Sequence, residues 1–297
     1  MYHNPVLLKQ SIEGLNIRPD GIYIDVTYGG GGHSKEILKN LAQGRLLGFD
    51  QDRDAISNKI EDERLVLINH NFRFLKNFLK YNDALPADGI LADLGVSSHQ
   101  FDVAERGFSL RFPGKLDLRM NRSQKITAAM VLNDYGQDQL AIIFRNYGEL
   151  PNARAISSAI VKFRSAKRLI NFEDLRQALS HFPTPGRENK FFARVLQALR
   201  IEINQELEVL KEFLLQTTDV LKAGGRLVVI SYHSLEDRLV KNFMKSGNFE
   251  GKLDKDFYGN VNTPFSVINR KPIIPDEKEV MENNRSRSAK LRIAEKR

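Results

Sequence analysis

The chain contains no cysteine, which excludes disulfides, a thiolate nucleophile and any zinc site built on cysteine. That fits a reducing cytoplasm, the expected location, although a cysteine-free chain is compatible with any compartment. No apolar run approaches the roughly 18 residues of a membrane span, so no membrane partner is expected. The opening residues, Met1-Tyr-His-Asn-Pro-Val-Leu-Leu8, lack a charged region followed by an apolar core, and no secretory signal is expected. The six histidines show neither H-x-H nor H-E-x-x-H spacing, so no metal is expected. Internal repeats and low-complexity segments are lacking too.

Positive charge is in excess. A net charge of +8 and a pI near 9.5 point to a polyanionic partner. Residues 162–200 hold nine Lys/Arg against three acids, and residues 285–297 hold six against Glu295 alone. Solvated faces explain isolated charge runs, but two separate basic segments favour nucleic acid. Within them Lys167, Arg168 and Arg194, with Arg238 further on, are the candidate RNA contacts.

With 297 residues the chain has room for two domains, or one with a large insertion. In the first hundred, apolar runs at 22–27, 45–50, 65–69 and 89–94 read as buried strands. Helical patterns at 35–41, 52–60 and 72–81 separate them, which predicts right-handed crossovers and a parallel sheet. Between 104 and 208 no strand is evident, and helical patterns occupy 138–145, 153–164, 172–179 and 191–215. Strand character returns at 226–232 after the stop signal Ala223-Gly-Gly225. Segments 265–270 and 289–294 alternate as an antiparallel hairpin would. The expected fold is α/β: a doubly wound, mostly parallel sheet formed by residues 1–103 and 209–297, with an inserted all-helical domain at 104–208.

The most informative stretch is Asp25-Val-Thr-Tyr-Gly29-Gly-Gly-Gly32-His33-Ser34, a glycine turn between a strand and a helix, where backbone amides can approach a cofactor. Asp50 and Asp93 close the next strands on the same expected sheet edge. A nicotinamide site also uses a glycine turn and a ribose-binding acid, but this turn does not fit G-x-G-x-x-G in register. S-adenosylmethionine fits better: the glycines lie against its methionine part, Asp50 bonds the ribose hydroxyls and Phe72 stacks on adenine. Singly, Asp25 reads equally well as a turn-capping carboxylate and Asp50 as a helix-capping acid.

Asp93-Leu-Gly-Val-Ser97-Ser98 lies where a methyl acceptor is held. An exocyclic amine is a poor nucleophile because its lone pair is delocalised into the ring. A carboxylate accepting one amine hydrogen localises that pair, and positioning supplies much of the rest. Asp93, Ser97 and His233 are therefore the candidate catalytic residues. In Tyr232-His-Ser-Leu-Glu-Asp-Arg238, Ser234 with Asp237 reads as a helix-capping pair.

Several segments together resemble the RsmH (also called MraW) family of bacterial methyltransferases. They are His3-Asn-Pro-Val-Leu-Leu8, Gly31-Gly-His-Ser34, Asp88-Gly-Ile-Leu-Ala-Asp-Leu-Gly-Val-Ser-Ser98, Arg106-Gly-Phe-Ser109 and Leu116-Asp-Leu-Arg-Met120. Further on come Tyr147-Gly-Glu149, Gln197-Ala-Leu-Arg-Ile201, His233-Ser-Leu-Glu-Asp-Arg238 and Arg285-Ser-Arg-Ser-Ala-Lys-Leu-Arg292. The resemblance spans nearly the whole chain. It implies a Rossmann-like class I methyltransferase fold, S-adenosylmethionine as donor, and the N4 amine of a cytidine in the decoding region of 16S ribosomal RNA as acceptor. It also implies the small ribosomal subunit as partner and admits a homodimer. The cofactor contacts it implies are Gly31, Gly32, His33, Asp50, Phe72 (with Phe74 as the alternative), Asp93 and Gln100. Three departures stand out: Gly30 replaces a larger, often basic residue, Tyr232 replaces a common Phe, and residues 192–196 lack the usual run through His and Pro. Chemistry alone leaves room for a DNA or protein methyltransferase, an oxidoreductase, or an RNA-binding assembly factor with incidental methylation.

Overall fold

The computed structural model describes residues 5–57, 59–110, 114–254, 257–258 and 261–297. His3 and Asn4 of the opening motif lie outside the described residues. The chain divides into two units, Met1–Gly95 with Leu207–Arg297, and Val96–Glu206.

In the first unit the buried apolar runs form strands β1 (Ile22–Asp25), β2 (Arg45–Phe49), β3 (Leu65–Ile68), β4 (Ala87–Asp93) and β5 (Leu221–Ser231), followed by β6 (Phe265–Val267) and β7 (Lys290–Lys296). They make one seven-stranded sheet in the order β3-β2-β1-β4-β5-β7-β6. The first five pair in parallel, while β7 runs antiparallel to both β5 and β6. This is the expected Rossmann-like class I methyltransferase arrangement; β6 pairs antiparallel with β7 as expected, but a helix at Glu277–Glu282 lies between them in the chain, so they form no hairpin.

Alternation along the strands shows why both faces need covering. Ile24, Leu47, Ile90 and Val229 point to a core completed by Phe213 and Phe243, whereas Tyr23, Leu46, Leu91 and Val228 join Leu15 and Ile37 on the other side. Helices α1 (Leu8–Leu15) and α2 (Gly32–Asn40) supply Leu15 and Ile37. The short α3 (Arg53–Ile56) follows β2, and a 3-10 turn at Phe72–Phe74 leads into α4 (Leu75–Tyr81). Strand order reverses between β1 and β4, the switch point at whose carboxyl ends doubly wound sheets bind ligands. Asp25 and Asp93 end those two strands, and Asp50 follows β2.

The second unit contains α5 (Ser98–Asp102), α6 (Ala128–Asp134), α7 (Gln137–Asn146), α8 (Ala153–Arg164), α9 (Phe172–Ala178) and α10 (Glu188–Asn204). Its core gathers Phe144, Ile156, Ile160, Leu175 and Leu199, and among its described residues there is no strand. The unit begins at Val96, ahead of the expected 104, because Val96 and Phe101 already pack on this core. Arg106 is 1% exposed, with its guanidinium donating to the carbonyls of Arg119 and Met120, each at 3.0 Å.

Two elements differ from expectation. The helix expected at 191–215 is two helices, α10 and α11 (Glu206–Val220), because Gln205 turns left-handed at φ 52°. The 52–60 pattern yields only α3, capped by the Asp52 carboxylate accepting from the Asp54 amide at 3.1 Å. Beyond β5 come α12 (Ser234–Ser246) and α13 (Glu277–Glu282). Among the described residues no helix is long and apolar enough to cross a membrane.

Candidate active site

Asp25 organises the glycine turn from beneath. Its Oδ1 accepts from the Thr27 amide at 3.1 Å and its Oδ2 from the Ser34 hydroxyl at 2.7 Å, which ties both ends of the turn to β1. Burial pushes the Asp25 carboxyl above its usual range, against the pull of His33 and these hydrogen bonds. Thr27 extends the link, since its hydroxyl oxygen accepts from the Asp93 amide at 2.7 Å. Gly31 caps α2 at φ 74°, a left-handed conformation that disfavours other residues. Gly32 is needed for space instead: a Cβ there would run into the Pro5 ring.

Asp50 faces the turn from β2. Its Oδ2 accepts from the Gly29 amide and its Oδ1 from the Asp52 amide, each at 2.8 Å. Burial pushes its carboxyl up to about 7, although both amides lower it. Each oxygen keeps one lone-pair direction for a further donor, which suits a vicinal diol. Phe72, the residue expected beside adenine, packs edge-on against Phe213 with ring centroids 5.3 Å apart. Phe74, the alternative, is 40% exposed and meets His70 edge-on at 4.9 Å. The loop carrying them is held to the segment after β2 by Asn71 Nδ2 donating to Gln51 Oε1 at 2.9 Å and Asn69 Nδ2 to the Asp50 carbonyl at 2.9 Å.

At the end of β4, Asp93 Oδ1 accepts from the Tyr232 hydroxyl at 2.8 Å, and Oδ2 lies 3.8 Å from His33 Nδ1. His33 is buried, with Nε2 3.1 Å from the Val6 carbonyl. A carbonyl only accepts, so that nitrogen carries the proton. Burial pushes the Asp93 carboxyl up to about 6, with His33 and the Tyr232 hydroxyl pulling down and Asp25 and Glu236 pushing up. Burial and the adjacent Asp93 hold the Tyr232 phenol well above its ordinary range, so it stays a donor. The first unit therefore brings Gly31, Gly32, His33, Asp50 and Asp93 to one sheet edge.

The other expected residues have visible structural work. Ser97 and Gln100, in the second unit, form a reciprocal capping box on α5, each amide bonding the other's side chain at 3.2 Å. The Ser234–Asp237 cap is a correction: the N-cap of α12 is His233, whose Nδ1 accepts from the Glu236 amide at 3.4 Å. Asp237 is drawn away by Arg292, whose Nε donates to its Oδ1 at 2.7 Å. His233 is thus engaged as a cap, with Nε2 3.2 Å from Glu236 Oε1. Among the basic residues, exposed Lys167 pairs with buried Asp174 at 2.6 Å, and Arg168 lies 3.3 Å from Asp134. Arg194 donates to the carbonyls of Gly148, at 2.8 Å, and Glu149, an internal brace. Arg238 is exposed on α12.

Sequence reasoning missed Tyr232, Thr27 and Ser34. The sequence marked Tyr232 only as a departure from a common Phe; its place beside Asp93 follows from β5 being the parallel neighbour of β4.

A family model described as the MraW methylase family matches residues 1–297. Proteins named ribosomal RNA small subunit methyltransferase H are similar throughout. The one from Bacteroides fragilis (strain YCH46) is 58% identical over 297 residues, covering 100% of this chain and 98% of that one. The one from Christiangramia forsetii is 56% identical over 296 residues, covering 99% and 98%. The one from Flavobacterium psychrophilum is 56% identical over 292 residues, covering 98% and 100%.

Proposed function

The chain belongs to the MraW methylase family, and we propose that it methylates the exocyclic N4 amine of a cytidine, with S-adenosylmethionine as donor. The acceptor in this reading lies in the decoding region of 16S ribosomal RNA, with the small ribosomal subunit as partner. The observation that carries the chemistry is the Asp93 carboxylate, held at Oδ1 by Tyr232 at the end of β4 beside the glycine turn. The names of the relatives support the RNA substrate.

When bound, S-adenosylmethionine supplies a methyl group already activated on a sulfonium. The Gly29–Gly32 backbone approaches its methionine part, and the Asp50 carboxylate accepts from the ribose hydroxyls. The turn geometry and the unused lone pairs of Asp50 suit both tasks. Asp93 accepts one amine hydrogen, localising the nitrogen lone pair for in-line attack. After transfer the nitrogen carries one proton too many, and Asp93, raised to about 6, takes it.

Ligand selectivity tests the cofactor reading. S-adenosylmethionine, or its demethylated product, should raise the unfolding temperature, while NAD should leave it unchanged. Protection by NAD alone would favour an oxidoreductase. For the RNA, neutralising Lys167 and Arg168 together should weaken association and reduce the salt slope by roughly 1–2 phosphate contacts. An unchanged slope would move the RNA off this surface of the helical unit.

A further inference from the structure

We propose that in this chain Tyr232, at a position where the family commonly has Phe, is a positioning residue for methyl transfer: its hydroxyl fixes the Asp93 carboxylate so that Oδ2 receives the amine hydrogen. This rests on the amine-methylation reading above. Tyr232 is itself rigidly held. Its backbone amide donates to Glu236 Oε2 at 3.0 Å, and its ring packs on the core shared by β1, β4 and β5. That ring also lies against Gly95, where a Cβ would meet Tyr232 Cδ2 at 3.4 Å. From this frame the phenol donates to Oδ1 at 2.8 Å.

The two oxygens of Asp93 are thereby made unequal. Oδ1 carries a strong, permanent donor. His33 Nδ1 is 3.8 Å from Oδ2, beyond hydrogen-bond reach, and the ring is anchored through Nε2 to the Val6 carbonyl at 3.1 Å. Oδ2 therefore keeps its capacity to accept. Without the phenol, the carboxylate rotates about its terminal torsion, which is soft, and its lone pairs no longer point one way. The groups that set its ionisation are His33 from α2, Asp25 from β1, Glu236 from α12 and Tyr232 itself, with Glu279 from α13 acting on the phenol.

The test is Tyr232→Phe, which keeps the ring and its packing. Thermal unfolding checks the fold, and two measurements read the hydrogen bond. One is the pH profile of methyl transfer, and the other is the carbon-13 titration of the Asp93 carboxyl, assigned with Asp93→Asn. In the wild type, activity falls as pH drops through about 6, because protonated Asp93 no longer accepts. In Tyr232→Phe the donor that favours the ionised form is gone, so both the acid limb and the carboxyl titration should move to higher pH together. Plateau turnover should fall by about tenfold with the KM for RNA unchanged. An unmoved acid limb and titration would overturn the proposal, as would a loss expressed only in KM. If the wild type methylates no cytidine amine while the titration still shifts, the function reading fails and the hydrogen bond stands.

Discussion

Asp93→Asn is expected to lower methyl transfer by about two to three orders of magnitude, the usual scale for a positioned acid–base group. The substitution is nearly isosteric, and its amide oxygen still accepts from the Tyr232 hydroxyl on the Oδ1 side. The nitrogen then occupies the Oδ2 position and presents hydrogens to an amine that itself needs an acceptor. Folding should not suffer. Burial raises the folded carboxyl to about 6, above its unfolded value, so its ionisation opposes folding, a penalty that builds between the two values and is full above about 6. At pH 8 a neutral amide removes that penalty, and the unfolding temperature should be unchanged or higher. Single-turnover transfer rates beside thermal unfolding check both statements, and unchanged transfer would remove Asp93 from the mechanism.

Asp50→Ala is expected to weaken S-adenosylmethionine binding by about 100-fold or more. Two hydrogen bonds to an ionised carboxylate contribute roughly 1.5 kcal/mol each at the low end of their range. The substitution also frees the Gly29 and Asp52 amides, loosening the turn that meets the methionine part. A pH signature separates the direct contact from that loosening. Burial raises the Asp50 carboxyl to about 7 without ligand, and ribose hydroxyls donating to it favour the ionised form. Binding therefore lowers that value and releases a proton, and affinity falls as pH drops below about 7. Asp50→Ala should abolish this dependence. Calorimetry across pH 5.5–8.5 measures both, and a pH-independent wild type would take the ribose contact away from Asp50.

The sheet was legible because buried parallel strands are continuous apolar runs, and because Asp25, Asp50 and Asp93 stand where such runs end. The turn was legible through its glycines. Caps and breaks were harder to read, since each turns on which local hydrogen bond wins. Ser234 has the commoner capping chemistry, yet His233 caps α12 because Glu236 completes the box and Arg292 holds Asp237 elsewhere. Gln205 breaks the long helix without a glycine or proline to announce it. Tyr232 stood out only as a departure from a common Phe, with no role attached to its hydroxyl. Its bond to Asp93 spans 139 residues and depends on β4 and β5 being neighbours, which pattern reading does not specify.

Methylation of a cytidine amine by this chain is measured by methyl transfer from labelled S-adenosylmethionine to small ribosomal subunits taken from bacteria lacking this modification. Nucleoside mass spectrometry then identifies the product. N4-methylated cytidine, formed by the wild-type chain and strongly reduced with Asp93→Asn, is the predicted result. No transfer to subunits or naked RNA, despite demonstrated cofactor binding, would contradict it and leave an RNA-binding assembly factor in its place.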